Sequence, residues 1–174
     1  MTRLIIQDGN GPTANLGIRP VGAKVLMNNP PRFERVNYNS LNSRQKENFN
    51  FQKVSAVLAD YGFLTLRLSD DWQGADFIAH HIGGDLFLKV QLKSRLTVDT
   101  KYKNKDIWIC FNHRKRNTWY LFPHDAFLRW ALENLNIGNT KDWENPNDWD
   151  KVYGVYHWPT PSKAILSWLG DYAL

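Results

Sequence analysis

Asp76, Gln91 and Lys93 are a carboxylate, an amide and an amine that a single hairpin can bring to one face. Gly83-Gly84 lies between two apolar-alternating runs, Ala75 to Ile82 and Asp85 to Arg95, and a Gly-Gly pair in that place is a strong turn signal. With Gly83-Gly84 as a two-residue turn, paired positions have numbers summing to 167, which sets Asp76 opposite Gln91. Lys93 lies two residues further along and projects from the same face. The other face carries Ala75, Phe77, Ala79 and His81 on the first strand and Leu86, Leu88, Val90 and Leu92 on the second. Apart from His81 it is apolar, so it belongs to the core, and the polar trio gathers at the end of the hairpin remote from its turn. Such a trio offers oxygen donors of the kind that hold a hard divalent cation, beside an ammonium that offsets charge on a reacting oxygen. It could equally be an ordinary cross-strand Asp–Lys contact, worth ~0.2–1 kcal/mol.

The elements around the hairpin must position these groups. Ser43 reads as the N-cap of a helix in which Phe51, Val54, Leu58 and Tyr61 recur at three- and four-residue spacing before Gly62 ends the run. Glu47 lies one turn before Phe51 on the same face, either as a charge at the rim near the helix start or as a ligand. After Gly62, residues 63–68 alternate as a strand, and Ser69-Asp70-Asp71 reads as a turn or cap, although its acids could approach a metal. Further strands are predicted over 106–112 and 119–122, then a helix over 123–135 with Phe127, Trp130, Ala131 and Leu135 on one face. A last strand over 152–157 precedes a terminal helix opened by Thr160-Pro161 and carrying Ile165, Leu166, Trp168 and Leu169. Helix, meander, strands and helices in this order predict an α/β or α+β layer arrangement.

The run Gly74-Ala75-Asp76-Phe77-Ile78, then Gly83-Gly84, then Val90-Gln91-Leu92-Lys93-Ser94 resembles the core motif of the PD-(D/E)XK nucleases. More narrowly it is similar to the Gln-x-Lys variant found among Mrr-like restriction endonucleases. The helix followed by Gly62-Phe63 is similar to the family's opening element, in which an early helical Glu often joins the site, here Glu47. The resemblance covers about residues 43–112. Two positions depart from the pattern: Ala75 stands where the name-giving Pro would be, and Gln91 replaces the second acid, removing one negative charge.

The resemblance implies a restriction-endonuclease-like α/β core with a mixed central sheet flanked by helices, and a Mg²⁺-dependent enzyme, with Mn²⁺ as a possible substitute, that hydrolyses phosphodiester bonds in DNA. It implies Glu47, Asp76, Gln91 and Lys93 as catalytic residues. Asp76 would be the main metal ligand, Glu47 a direct or water-mediated one, Gln91 a neutral amide oxygen and Leu92 a backbone carbonyl. Lys93 would orient the attacking water. RNA is left open as a substrate, and a homodimer is expected because cutting two strands needs two sites. A catalytically weak relative that binds nucleic acid or a protein on the same scaffold is the alternative.

Composition is compatible with this. The chain has 174 residues, enough for one ordinary domain, and its 43% hydrophobic and 22% charged residues mark it as globular. A net charge of +5 favours a polyanionic partner. Two basic loops are candidate phosphate contacts: Arg114-Lys115-Arg116 between two strands, and Lys101 and Lys103, which alternate with Lys105 around Tyr102. Either could instead be a solvated hairpin tip. The lone Cys110, in an apolar run, excludes disulfides and a cysteine-based zinc site. His80 and His81 are adjacent on a strand, face opposite ways and do not chelate one ion. No phosphate-cradling glycine loop and no Ser/His/Asp arrangement stands out. No window reaches the ~18 apolar residues of a membrane span, and the start of the chain lacks a signal pattern, so a cytoplasmic protein is expected.

Residues 1–40 read as an arm rich in Gly and Pro, and 41–174 as the nuclease-like domain with a strand–helix tail. The polar stretch holding Trp143 and Trp149 reads as a loop pinned to the body by its indoles.

Overall fold

Asn42, not Ser43, caps the first helix. Its side chain accepts from the Gln45 N–H and the Gln45 side chain accepts from the Asn42 N–H, both at 2.9 Å, a reciprocal capping box. Helix α1 (Ser43–Asp60) buries Val54 and Leu58, one turn apart, and ends at Gly62, whose φ of 78° is readily reached only by glycine. The computed structural model describes residues 32–135, 137, 149–151 and 153–174. Residues 1–31 of the expected arm, and Trp143, lie outside them. Asn37–Leu174 is one unit and Met1–Val36 another.

A three-stranded antiparallel meander follows: β1 (Phe63–Trp72), β2 (Ala75–His81) and β3 (Phe87–Lys93). The expected hairpin register holds, from Phe77↔Val90 through His80↔Phe87, all summing to 167. The tight turn itself sits one residue early, with the Gly84 N–H donating to His81 O at 2.9 Å, yet His81 still donates to Leu86 O in the same register. β1 runs through Ser69-Asp70-Asp71, so those residues are strand rather than turn, and the reversal falls on Gln73-Gly74.

β5 (Ile107–His113) lies parallel to β3, and β6 (Thr118–Pro123) is antiparallel to β5, giving a five-stranded mixed sheet in the order β1-β2-β3-β5-β6. The connection from β3 to β5 contains β4 (Thr97–Asp99) and a 3-10 turn (Thr100–Tyr102). β4 pairs with β7 (Val155–His157) in a separate two-stranded sheet. Helix α2 (His124–Asn134) and helix α3 (Lys163–Trp168) complete the unit. The cap of α3 is Ser162, whose side chain accepts from Ile165 N–H; Pro161, read as a first-turn residue, is buried just outside it.

Helices pack on both faces of the sheet, although Leu64 and Leu66 of β1 and Phe87 of β3 stay exposed. On one, α1 packs Val54 and Leu58 against Phe77, Ala79, Val90 and Cys110. Burial there pushes the Cys110 thiol far above its ordinary range, so it is an inert core group. On the other face, Ile109, Phe111 and Phe122 pack against Phe127 and Leu128 of α2 and Ile165 of α3. This is the mixed α/β arrangement, with helices flanking a central sheet, that the sequence predicts. One position breaks the alternation: Ala75, expected beside Phe77, packs instead in the second cluster with Tyr102. The reason lies in how β1 and β2 part at Asp76.

Candidate active site

β1 and β2 do not stay in step around Asp76. Between the pairs Arg67↔Phe77 and Trp72↔Ala75, residues 68–71 of β1 face one residue of β2, Asp76. Bulges of this kind bend a strand and re-aim side chains, and are common beside active sites. The pairing of β2 with β3 also stops at Phe77↔Val90, while β3 continues against β5 to Lys93↔Phe111. Both neighbours of β2 therefore leave it at the same residue. The opening is a cleft of about 280 Å³ lined by Glu47, Arg67, Ser69, Asp70, Asp76 and Gln91, among others.

The Asp76 carboxylate replaces the lost ladder. Its Oδ2 accepts from the Leu92 N–H at 2.7 Å and from the Gln91 side-chain amide. Continued pairing would have set Leu92 opposite Ala75, so the side chain stands in for a backbone carbonyl. Gln91 is buried, and its Oε1 accepts from the Tyr102 hydroxyl at 2.8 Å. Reversing the amide would press its oxygen against the Asp76 carboxylate, so the partners dictate its orientation. Lys93 donates from Nζ to the same Tyr102 hydroxyl at 3.2 Å. Asp76, Gln91, Tyr102 and Lys93 thus form one hydrogen-bonded chain.

Tyr102 is the member that sequence reading missed, since its role there was only as a spacer between two lysines. It is buried, its ring stands edge-on to His124 at 5.8 Å, and it packs against Gly74 so closely that any Cβ at 74 would lie 2.5 Å from the ring. Gly74, with φ of 98°, both makes the β1–β2 reversal and admits the tyrosine. His124 is fully buried, and that burial lowers its pKa below the ordinary imidazole value despite the Asp125 carboxylate 2.7 Å from Nδ1.

Glu47 reaches the cleft from α1 and pairs with Arg67, whose guanidinium also contacts Asn48 and lies over the Phe51 ring at 5.4 Å. Arg67 was not singled out from the sequence. The side chains of this pair are 53% and 36% exposed, and an ion pair that open is worth ~0–1 kcal/mol. Asp70 lines the cleft as well. Among the described residues no three His, Cys, Asp or Glu side chains close on one point. The carboxylate oxygen donors that line the cleft are those of Glu47, Asp70 and Asp76.

The two basic loops differ. Lys103 donates to Trp149 O at 2.7 Å and lies over the rings of Trp149 and Tyr153; Lys101 stands 3.7 Å from Asp99, and Lys105 O accepts from Lys89. That loop is stitched into the body, and the Trp149 indole donates to its Asn104 at 3.1 Å; the rest of the polar stretch expected to be pinned by Trp143 and Trp149 lies outside the described residues. Arg114 stacks over Tyr38 with 3.2 Å to the ring centroid, while Lys115 and Arg116 are exposed.

No protein-family model matches the chain, and no curated protein matches it. Among solved structures the chain is similar to a bacterial homing endonuclease, I-Ssp6803I, at 20% identity and a TM-score of 0.39, over 50% of this chain and 69% of that one.

Proposed function

We propose that this chain is a metal-dependent endonuclease that hydrolyses phosphodiester bonds in DNA, in restriction, repair or a mobile element. The observation that carries the reading is the splayed end of the hairpin, where Asp76, Gln91 and Lys93 share one hydrogen-bonded chain and Glu47 lines the same cleft.

Asp76 would hold a Mg²⁺ or Mn²⁺ ion, with Glu47 and the Leu92 carbonyl adding oxygens. The exposed Glu47–Arg67 pair costs little to open, so Glu47 is within a cation's means to recruit. Gln91 is better suited to bracing Asp76 than to ligating, because its nitrogen faces the carboxylate and its oxygen serves Tyr102. When bound, the ion supplies Lewis-acid polarisation of the phosphate and a more acidic water. Lys93, anchored on Tyr102, orients that water and offsets the charge that grows on the phosphoryl oxygens as water adds and the ester oxygen leaves. Cutting both strands of a duplex needs two such sites, hence a homodimer.

The test is cleavage of supercoiled plasmid and branched DNA with Mg²⁺ or Mn²⁺, comparing wild type with Asp76→Ala and Lys93→Ala. Metal-dependent nicking by wild type, lost in both variants, is expected. Undiminished cleavage by Lys93→Ala would sink the assignment.

A second reading, a catalytically weak nucleic-acid-binding relative, is favoured by one contact, the Arg67 guanidinium on the second carboxylate. If Arg67→Ala alone turns an inactive wild type into a metal-dependent nuclease, that reading is correct.

A further inference from the structure

A larger cleft, of about 430 Å³, lies beyond Lys93. Part of its lining is cationic: Arg95 and the turn Arg114–Arg116. The lining also has an apolar part, Phe111, Trp158, Pro159, Pro161 and Leu166, with Asn112, His113 and Thr160 as polar members. Trp158 is held in place by its N–H, which donates to Leu96 O at 3.0 Å, and by its edge-on contact with Phe127.

Shared lining residues relate this cleft to the Asp76 cleft. Ser94 lines both it and a smaller depression that contains Lys93 and Glu47, and Glu47 in turn lines the Asp76 cleft. Charge is distributed unevenly along this series. Asp76, Asp70 and Glu47 lie at one end, whereas among the described residues no carboxylate lines the larger cleft at the other. Among the described residues, no ion pair or side-chain hydrogen bond engages Arg95, Lys115 or Arg116.

Cations alone would suit the phosphates of any duplex, whose bases stay stacked and out of reach. The apolar part of the lining has no use in such a contact. It has one if a base leaves the stack, because a flat apolar face beside arginines is how unpaired bases are held. We propose that this cleft is a nucleotide subsite, taking one unpaired base against Trp158 and Pro161 and its phosphate against Arg95 and Lys115. The substrate class is then DNA with an unpaired nucleotide close to the cut, such as a flap, fork or flipped base. This rests on the nuclease reading for the identity of the strand but is tested apart from it.

The experiment is equilibrium binding by the full chain in EDTA, so that nothing is cut. The probes are a fully paired duplex and the same duplex carrying one unpaired 2-aminopurine nucleotide. Wild type should bind the second about tenfold more tightly, with a change in 2-aminopurine fluorescence. Thr160→Trp, which fills the cleft from an exposed position, should abolish the preference and the fluorescence change while still binding paired duplex. Arg95→Ala with Lys115→Ala, both exposed, should weaken both probes and flatten the salt dependence by about one unit of slope per lost phosphate contact. Equal affinity of wild type for the two probes overturns the subsite, as does a preference that survives in Thr160→Trp. Plasmid nicking by a wild type with no preference removes only the subsite, whereas preference without any metal-dependent nicking removes only the nuclease reading.

Discussion

The two ends of the β2–β3 hairpin solve the same problem in different ways. At the turn end the backbone is satisfied by the ladder: His81 donates to Leu86 O and Gly84 to His81 O, and the side chains there, such as Phe87 stacked on His80 at 4.0 Å, decorate a regular register. At the open end the ladder stops at Phe77↔Val90, and a side chain takes over, with the Asp76 carboxylate accepting the Leu92 N–H. The difference teaches that at the open end the candidate catalytic groups are also structural ones. Asp76 is fixed because the strand edge needs it, which pre-organises it for any ligand without a separate supporting loop.

Substitutions at the two ends should therefore diverge, most of all in activity. Asp76→Ala is expected to reduce metal-dependent cleavage by about a thousandfold, roughly 4 kcal/mol in barrier. It should also lower stability by ~1–3 kcal/mol, since the Leu92 N–H and the Gln91 amide lose their acceptor. Phe87→Ala, on an exposed ring at the turn end, should leave cleavage unchanged and shift stability by less than ~1 kcal/mol. Plasmid nicking rates and urea midpoints measure both. Equal losses from the two substitutions would erase the distinction.

Gly74→Ala comes next. Its φ of 98° is strained for any other residue, and the added methyl would meet the ring of the buried Tyr102 at 2.5 Å. A loss of ~2–3 kcal/mol is expected in urea unfolding. An unchanged midpoint would mean that the β1–β2 reversal can move away from Tyr102 and that the open end is not a single packed assembly.

The sequence made the hairpin legible because its register depends on one local feature, the Gly-Gly turn, and the alternation on either side. The register survived even though the tight turn sits one residue early. What it could not show were contacts made across long separations. Tyr102 reaches Gln91 and Lys93 from a 3-10 turn whose sequence, Thr-Lys-Tyr, has no periodicity to read. Arg67 meets Glu47 from a strand 20 residues away. The bulge over 68–71 was hidden because Ser69-Asp70-Asp71 carries turn chemistry while forming strand. Composition also failed to separate the two lysine- and arginine-rich loops. Only partners do: Lys103 is spent on Trp149, whereas Lys115 and Arg116 face solvent.

Tyr102→Phe is a finer probe of the open end. It keeps the ring and removes only the hydroxyl that joins Gln91 to Lys93. Stability should fall by about 1 kcal/mol, as a buried amide oxygen loses its donor. Cleavage should slow by about tenfold or more, the usual cost of removing a group that orients a site residue. If cleavage is unaffected, Lys93 needs no anchor, and the hydrogen-bonded chain is packing rather than pre-organisation.

The smallest expected effect is also the one that reaches the site from furthest away. His124 backs the Tyr102 ring, and its burial depresses its pKa below the unfolded value near 6.5, with Asp125 and Asp99 opposing that shift. Below pH 6.5 the unfolded chain takes up a proton that the folded chain resists, so protons favour unfolding. Stability is thus fully present above pH 6.5 and declines as the pH falls from there towards the depressed folded value. Urea midpoints measured between about pH 5 and 8 should show this decline in wild type. A His124→Gln protein should show a shallower one, because the group that titrates is gone. Should the two profiles run parallel, protonation elsewhere governs acid stability and His124 is a silent neighbour. Should they separate, cleavage by wild type ought to hold over that interval and fall only below the depressed folded value, where an imidazolium forms behind Tyr102 and disturbs the ring that holds Gln91 against Asp76 and anchors Lys93.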